Sequence, residues 1–313
     1  MTHSPELAKH DYSIPGALNV FIAIVSLFNA AGLLWIASHA DNWMVIATAA
    51  IGFSFVNNTI FSLLHEAVHG NFHINTSVNA VAGRLLAAMF PTGVTIQRVS
   101  HLGHHRRNRT DQELYDYYLP HESRWLKTYW LYCLLTGFYW LAIPEAGLIF
   151  LMMPWAFSST WFQHGPARWW GFEPFVKDIA REPKLTVWLE LFFTLCVQVS
   201  LWVLLDLNWV GWLVCYWAFG LNWSALQYSD HAWSERDVMK GAWNLRVSRF
   251  AHWMFLNYHC HRAHHENPHI PWLYLPGLVD PLHRQPTFWK IYLSLWKGAR
   301  PAPPGPGPLA VEK

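Results

Sequence analysis

Charged side chains are scarce in this chain of 313 residues. They make up 13% of the sequence, while 53% of the residues are hydrophobic, and soluble domains carry about 25% charged residues. This shortage excludes an ordinary water-soluble domain. The formal net charge is only +2 and the basic residues are scattered, so the chain lacks the concentrated positive charge of a nucleic-acid-binding protein.

Cysteine is also rare, and its spacing excludes several kinds of metal site. No two of the cysteines form the C-x-x-C pair of iron–sulfur, rubredoxin or zinc-ribbon sites. The first three lie within apolar runs, so we expect reduced cysteines that pack in the interior and bind no metal. The four residues are Cys133, Cys196, Cys215 and Cys260.

The sequence contains several long apolar runs. Four runs are each long enough to cross a hydrocarbon core of about 30 Å. The second run continues into a histidine-containing segment at 65–69 without a proline or glycine break, which predicts one uninterrupted helix that carries these histidines beyond the membrane. The four predicted spans are Ala17–Ala37, Trp43–Leu64, Val187–Leu205 and Trp209–Tyr228.

Two further apolar stretches are too short or too broken to span. Ala80–Met89 predicts an interfacial or buried helix. Tyr129–Phe157 is interrupted at Pro144, Glu145 and Gly147, which predicts a hairpin in the membrane interface.

The sequence therefore predicts an all-α integral membrane bundle of four transmembrane helices in a single domain, residues 1–313. A polar N-terminal tail (1–16) and a Pro-rich C-terminal tail (301–313), extended or disordered, flank it.

Lysine and arginine predict the orientation. None of the 22 basic residues lies in the two short connectors Ser38–Asn42 and Asp206–Asn208. Because basic residues favour the cytoplasmic side, both termini and the long polar segments are predicted to lie there. That side faces the cytoplasm at the inner membrane of a bacterium or at the endoplasmic reticulum of a eukaryote.

Histidines carry the strongest chemical signal. Eight of the 19 histidines fall in three short runs. Residues three or four apart share a helix face, so each run directs at least two imidazoles to one point. Eight imidazoles exceed the roughly four ligands of one zinc ion; they predict two metal ions, and all-imidazole ligation suits iron, copper or zinc. The runs are His65-Glu66-Ala67-Val68-His69, His101-Leu102-Gly103-His104-His105 and His261-Arg262-Ala263-His264-His265.

The order H-x-x-x-H, H-x-x-H-H, H-x-x-H-H between apolar spans resembles the membrane fatty acid desaturase family, and the similarity extends from Leu63 to Pro276. The resemblance implies two ferrous ions that use O₂ to introduce a double bond into an acyl chain, with the histidines in a cytoplasmic cap. His231 is similar to an extra histidine of the family. Gln227 stands where some relatives carry an asparagine that holds a water near the metals. The implied ligands are His65, His69, His101, His104, His105, His231, His261, His264 and His265.

The resemblance also implies a separate electron donor. The sequence has no His-Pro-Gly-Gly motif, which the family's fused cytochrome b5 domains carry, and no Gly-rich dinucleotide loop. We therefore expect a ferredoxin or a cytochrome b5 as the partner, and the basic cytoplasmic face suits an acidic carrier.

Several alternatives remain open from the sequence. Within the family, hydroxylation, carotenoid ketolation and decarboxylation to a terminal alkene need the same metals, and the segment His264–Pro276 is similar to carotenoid ketolases. The run His65-Glu66-Ala67-Val68-His69 also matches the H-E-x-x-H motif of zinc metalloproteases, with Glu66 as general base. A metal transporter is a third class, but transporters place their ligands near the bilayer midplane, and these histidines lie outside the apolar runs.

Overall fold

The computed structural model describes residues 12–307. Most of the predicted N-terminal tail and the end of the predicted C-terminal tail lie outside this range. Within it the chain is mostly helical, as predicted. The first helices are α1 Gly16–His39, α2 Trp43–His69, α3 Thr76–Met89, α4 Val94–Arg107, α5 Arg124–Leu135, α6 Phe138–Met152 and α7 Thr160–Phe162. The later ones are α8 Glu173–Ala180, α9 Lys184–Leu204, α10 Trp209–Ser229, α11 Arg249–Met254, α12 His261–Glu266 and α13 Phe288–Leu295.

Helix α2 is the central element of the fold. It begins where the Asn42 side chain accepts a hydrogen bond from the backbone N–H of Met44, 2.8 Å away, which satisfies one of the free donors at a helix start. It ends after His69 because Gly70 adopts a left-handed conformation with φ 80°. The predicted continuation of the second span through the first histidine run is therefore confirmed.

Three helices in the described range are long and apolar enough to cross a membrane, namely α1, α2 and α9. Helices α5 and α6 form a further candidate as a pair, although they are bent by 84° at their junction. Helix α10 is long enough but less apolar, because polar Asn222 and Gln227 and several indole and phenol rings fall within it. The structure thus has three or four candidate spans, and α10 as a span stays a prediction.

The predicted break at Pro144 is wrong. Helix α6 runs through Pro144, and the chain turns instead at Gly137, which has φ 81°. A Cβ atom on Gly137 would lie 2.9 Å from the backbone nitrogen of Leu221 in α10. The close approach of these two backbones therefore sets the position of the bend. The spacing of apolar residues in the sequence does not reveal this approach.

The second half of α2 is buried on all sides, from Asn57 to Val68. Its polar side chains find partners there: the Thr59 hydroxyl donates to the carbonyl of Met254 at 2.6 Å. The Ser62 hydroxyl donates to the carbonyl of Phe255 at 3.0 Å. These carbonyls lie at the end of α11, where a helix leaves acceptors free, so the two bonds hold the chain before the third histidine run against α2.

A short parallel pairing departs from the all-α prediction. Strand β1 is Tyr117–Tyr118 and strand β2 is Arg300–Pro301. The backbone N–H of Asp111 also donates to the carbonyl of Gly307 at 3.1 Å. The described part of the Pro-rich tail is therefore extended and bound to the loop that follows the second histidine run.

Candidate metal centre

Three helices bring the three histidine runs together, the first at the end of α2, the second on α4 and the third on α12. Successive residues of a helix differ by about 100° in direction, so positions one apart diverge while positions four apart nearly coincide. His104 and His105 therefore point to different places, and so do His264 and His265. Each H-x-x-H-H run contributes to two metal positions, and in both runs the first two histidines, three residues apart, belong to different groups.

The first group combines all three runs. His65, His69, His101 and His264 each offer a ring nitrogen, and these nitrogens lie within 4.8 Å of one another. The Nε2 atoms of His65 and His264 are 3.1 Å apart, and those of His69 and His101 are 2.8 Å apart. Four residues from three distant segments thus converge on one point.

The second group contains His104, His231, His261 and His265, again with ring nitrogens within 4.8 Å of one another. The Nε2 atoms of His104 and His231 are 3.0 Å apart. The chain reaches His231 by continuing the helical pattern past the end of α10, because the N–H of Ala232 donates to the carbonyl of Tyr228 at 3.0 Å. The structure therefore brings His231 to the position expected for a ninth histidine.

His105 lies between the two groups. Its Nε2 atom is 2.9 Å from Nε2 of His101 and 3.0 Å from Nε2 of His264. Its ring centroid is 4.3 Å from that of His265. All nine histidines predicted as ligands therefore meet in one place.

Acceptors behind the rings fix the tautomers. A carbonyl or carboxylate oxygen only accepts, so the carbonyl of Gly241, 2.8 Å from Nδ1 of His231, requires a proton on that nitrogen. The Glu113 carboxylate lies 3.2 Å from Nδ1 of His104. Nε2 of His231 is then left with a lone pair that faces Nε2 of His104, as in a metal-bound histidine.

Two more carboxylates lie behind ligand rings. Oε1 of Glu66 is 3.6 Å from Nδ1 of His65, and its Oε2 accepts a hydrogen bond from the N–H of Trp272 at 3.1 Å. Oδ2 of Asp230 is 3.7 Å from Nδ1 of His261. Burial raises the pKa of the Asp230 carboxyl well above its usual value.

Burial keeps the imidazoles neutral. It is the main cause that lowers the pKa of His105 to about 2, and the neighbouring His104 and His69 lower it further. Five more imidazoles have pKa values well below the usual value, mainly because of burial. Repulsion from a positive charge on a neighbouring imidazole lowers these pKa values further. The five residues are His101, His231, His261, His264 and His265. Neutral imidazole is the form that binds metal.

Gln227 approaches the histidines through another residue. Its side chain interacts with the hydroxyl of Tyr258. The ring of Tyr258 lies 5.0 Å from that of His65 and 4.9 Å from that of His261, between ring centroids. Gln227 also lines the cavity described below.

Sequence reasoning missed Glu113 and Asp230. Asp230 directly precedes His231, so its position was a usable signal, whereas Glu113 lies eight residues after His105 in a loop without a motif. Glu266, which directly follows the third histidine run, accepts a hydrogen bond from Nε of Arg262 at 3.1 Å.

A cavity of about 300 Å³ adjoins the second group. His101, His104 and His231 line its inner end, and its walls come from α4, α6, α8, α10 and the segment 157–172. Most wall residues are apolar or aromatic, including Ile96, Ile149, Phe157, Phe175 and Trp223. The cavity leads an apolar ligand to the histidines.

The donor set fits two metal ions. The lone pair on Nε2 of His231 faces Nε2 of His104 at 3.0 Å, a separation at which one metal ion can be bound by both nitrogens. Within residues 12–307, the buried Nε2 atom of His265 has no hydrogen-bond partner, although buried nitrogens are normally paired. Metal ions between these nitrogens satisfy both observations.

Comparison with known families agrees with this geometry. A model described as fatty acid desaturase matches residues 41–294, which is more than half of the chain. The chain therefore belongs to the fatty acid desaturase family and is an integral membrane oxidoreductase. No curated protein matches it.

Proposed function

We propose that this protein is an O₂-dependent di-iron enzyme that introduces a C=C bond into the alkyl chain of a lipid or fatty acyl substrate. One observation carries the proposal: two groups of four histidines, joined by His105, stand at the inner end of an apolar cavity. Histidine-only ligation together with family membership favours iron, which activates O₂ for oxidation of an unactivated C–H bond.

The histidines of the first group would hold one iron and those of the second group the other, with His105 between them. The carbonyl of Gly241 orients the ring of His231. The carboxylates of Glu113, Glu66 and Asp230 lie 3.2, 3.6 and 3.7 Å from Nδ1 of His104, His65 and His261. Gln227 acts beside the metals through Tyr258 and binds no metal itself. The site is rigid because α2, α4 and α12 supply its ligands.

The cavity binds the alkyl chain by apolar contact and keeps bulk water away from the inner end. This is the environment in which hydrogen abstraction is not diverted by solvent. The lining also includes polar side chains such as Gln97, Ser100 and Glu145, and we infer that the length of the cavity together with these groups selects the carbon that is oxidised.

The membrane arrangement that we propose is the one that the sequence predicts. We propose four transmembrane helices, α1, α2, α9 and α10, in one domain, with the histidines on the cytoplasmic side because the short opposite connectors lack Lys and Arg. Reducing electrons come from a separate ferredoxin or cytochrome b5 that docks on this side.

Other outcomes of the same site are hydroxylation, ketolation of a carotenoid, or decarboxylation to a terminal alkene. All of them use the same two irons, and the position of the substrate carbon decides between them. A zinc protease is disfavoured, because His65 and His69 share their group with His101 and His264, whereas a catalytic zinc keeps an open position beside about three protein ligands.

Product analysis tests the proposal. The gene is expressed in a host that lacks it, and extracted lipids and carotenoids are compared with those of a host that expresses the His264→Ala variant. The proposal predicts unsaturated acyl chains only with the unchanged protein and only with O₂. New hydroxylated, ketolated or shortened products would select one of the alternatives, and identical profiles would contradict the proposed oxidation.

A further inference from the structure

Four exposed tryptophans follow α6 within a short stretch of the chain. Trp155, Trp161 and Trp169 are 61%, 70% and 65% exposed, and Trp170 is 48% exposed. We call these four residues the indole surface. The rings of Trp169 and Trp170 contact each other, with centroids 5.2 Å apart, and exposed apolar patches mark interaction sites.

The packing of this segment places it beside the start of α9. Phe157 and Ala167 share a buried cluster with Val187 and Leu191, which belong to the first two turns of α9. The indole N–H of Trp188 also donates to the carbonyl of Leu151 at 3.2 Å. The segment therefore lies where α9, a candidate span, begins.

The outer face of α9 continues the same apolar surface. Leu185 and Leu189 are 70% and 51% exposed, as expected for side chains that face lipid. Arg168 directly precedes Trp169 in the chain, and its side chain is 72% exposed and lies 3.8 Å from the carboxylate of Glu173. Tryptophan beside arginine at the end of a span is typical of the bilayer interface, where indole lies at headgroup level and arginine reaches phosphate.

The same segment forms one wall of the cavity that leads to the histidines. Phe162, Pro166 and Ala167 line this cavity from inside. Trp170 lines the cavity and is also 48% exposed, so it stands at an opening. A single layer of residues thus separates the cavity from the indole surface.

We propose that the indole surface lies in the phospholipid interface and that the opening beside Trp170 faces lipid, so the alkyl chain enters the cavity from the membrane leaflet. The occupant of the surface is the acyl region of that leaflet. The lipid contact is independent of the reaction, whereas the statement about substrate entry rests on the proposed function.

Photocrosslinking in membranes tests this inference. Benzoylphenylalanine replaces Trp161 on the surface, and Trp170 or Phe162 at the opening, in the full-length protein in phosphatidylcholine vesicles. Met239, which is 51% exposed in the loop near His231, is the matched control. Mass spectrometry then measures phospholipid adducts, and iron content identifies correctly folded variants.

The inference predicts that lipid adducts at 161, 162 and 170 exceed those at 239 several-fold. Adducts at 161 that do not exceed those at 239 would overturn the lipid contact. Adducts at 161 alone would overturn lipid-side entry, because positions 162 and 170 would then face water. Adduct formation needs no turnover, so a protein that forms the adducts but oxidises no lipid would contradict the proposed function and leave the lipid contact intact.

Discussion

Oε1 of Glu113 lies 3.2 Å from Nδ1 of His104, on the side of the ring that faces away from the other histidines. A carboxylate in this position holds the ring and makes Nε2 more basic, and loss of such partners typically lowers metal affinity 10–100-fold. Glu113→Ala should therefore weaken iron binding by roughly 10–100-fold, measured by competition with a chelator. Glu266→Ala is the control, because Glu266 also lies beside a histidine run but bonds to Arg262. Equal losses in the two variants would contradict the role of Glu113.

His264 and His121 separate the metal-site histidines from ordinary ones. His264 is buried in the first group, while His121 is exposed. His264→Ala should remove one of the two irons and abolish turnover, whereas His121→Ala should retain both. Iron per chain, with protein content of the membrane as the folding control, measures the difference. Similar iron content in both variants would mean that the histidine groups do not bind the metal.

Substitutions of His231 and of Gln227 should have different effects on iron content and activity. His231→Ala removes a ring nitrogen 3.0 Å from that of His104, so iron content and activity should fall together. Gln227→Ala breaks the contact with Tyr258 and leaves all nine histidines in place, so activity should fall while iron is retained. Full iron and turnover in His231→Ala would show that eight histidines are sufficient.

Gly137 should be intolerant of a side chain. Its φ of 81° costs a non-glycine residue about 1–2 kcal/mol, and its Cβ would lie 2.9 Å from the backbone of Leu221. Gly137→Ala should lower the thermal midpoint of the protein in detergent. Gly32→Ala, in α1 where a Cβ meets no atom within 4 Å, should not. A midpoint for Gly137→Ala equal to that of Gly32→Ala would contradict the close approach of the two backbones.

Local patterns predicted those parts of the fold that local chemistry controls. The uninterrupted apolar run before His65 predicted a helix through His69, and α2 has that extent. The spacing of the H-x-x-H-H runs likewise predicted shared helix faces. Their division between two groups was not predicted, because His101 and His104, three residues apart, belong to different groups, and so do His261 and His264.

Tertiary contacts determine the features of the fold and the site that the sequence did not predict. The bend at Gly137 depends on the backbone of α10, more than 80 positions away, so the nearby Pro144 was the misleading signal. Glu113 and Asp230 were missed because a carboxylate behind an imidazole is recognised only when the ring is placed. The fourth span was predicted from length, but the rings and amides of α10 lower its hydropathy.

Metal analysis of the purified, reduced protein tests the central claim most directly. Elemental analysis and Mössbauer spectroscopy give the identity, number and coupling of the ions in the nine-histidine centre. The account predicts two irons per chain that are magnetically coupled, and their loss on removal of either histidine group. One zinc per chain bound by His65 and His69, with the second group free of metal, would contradict it.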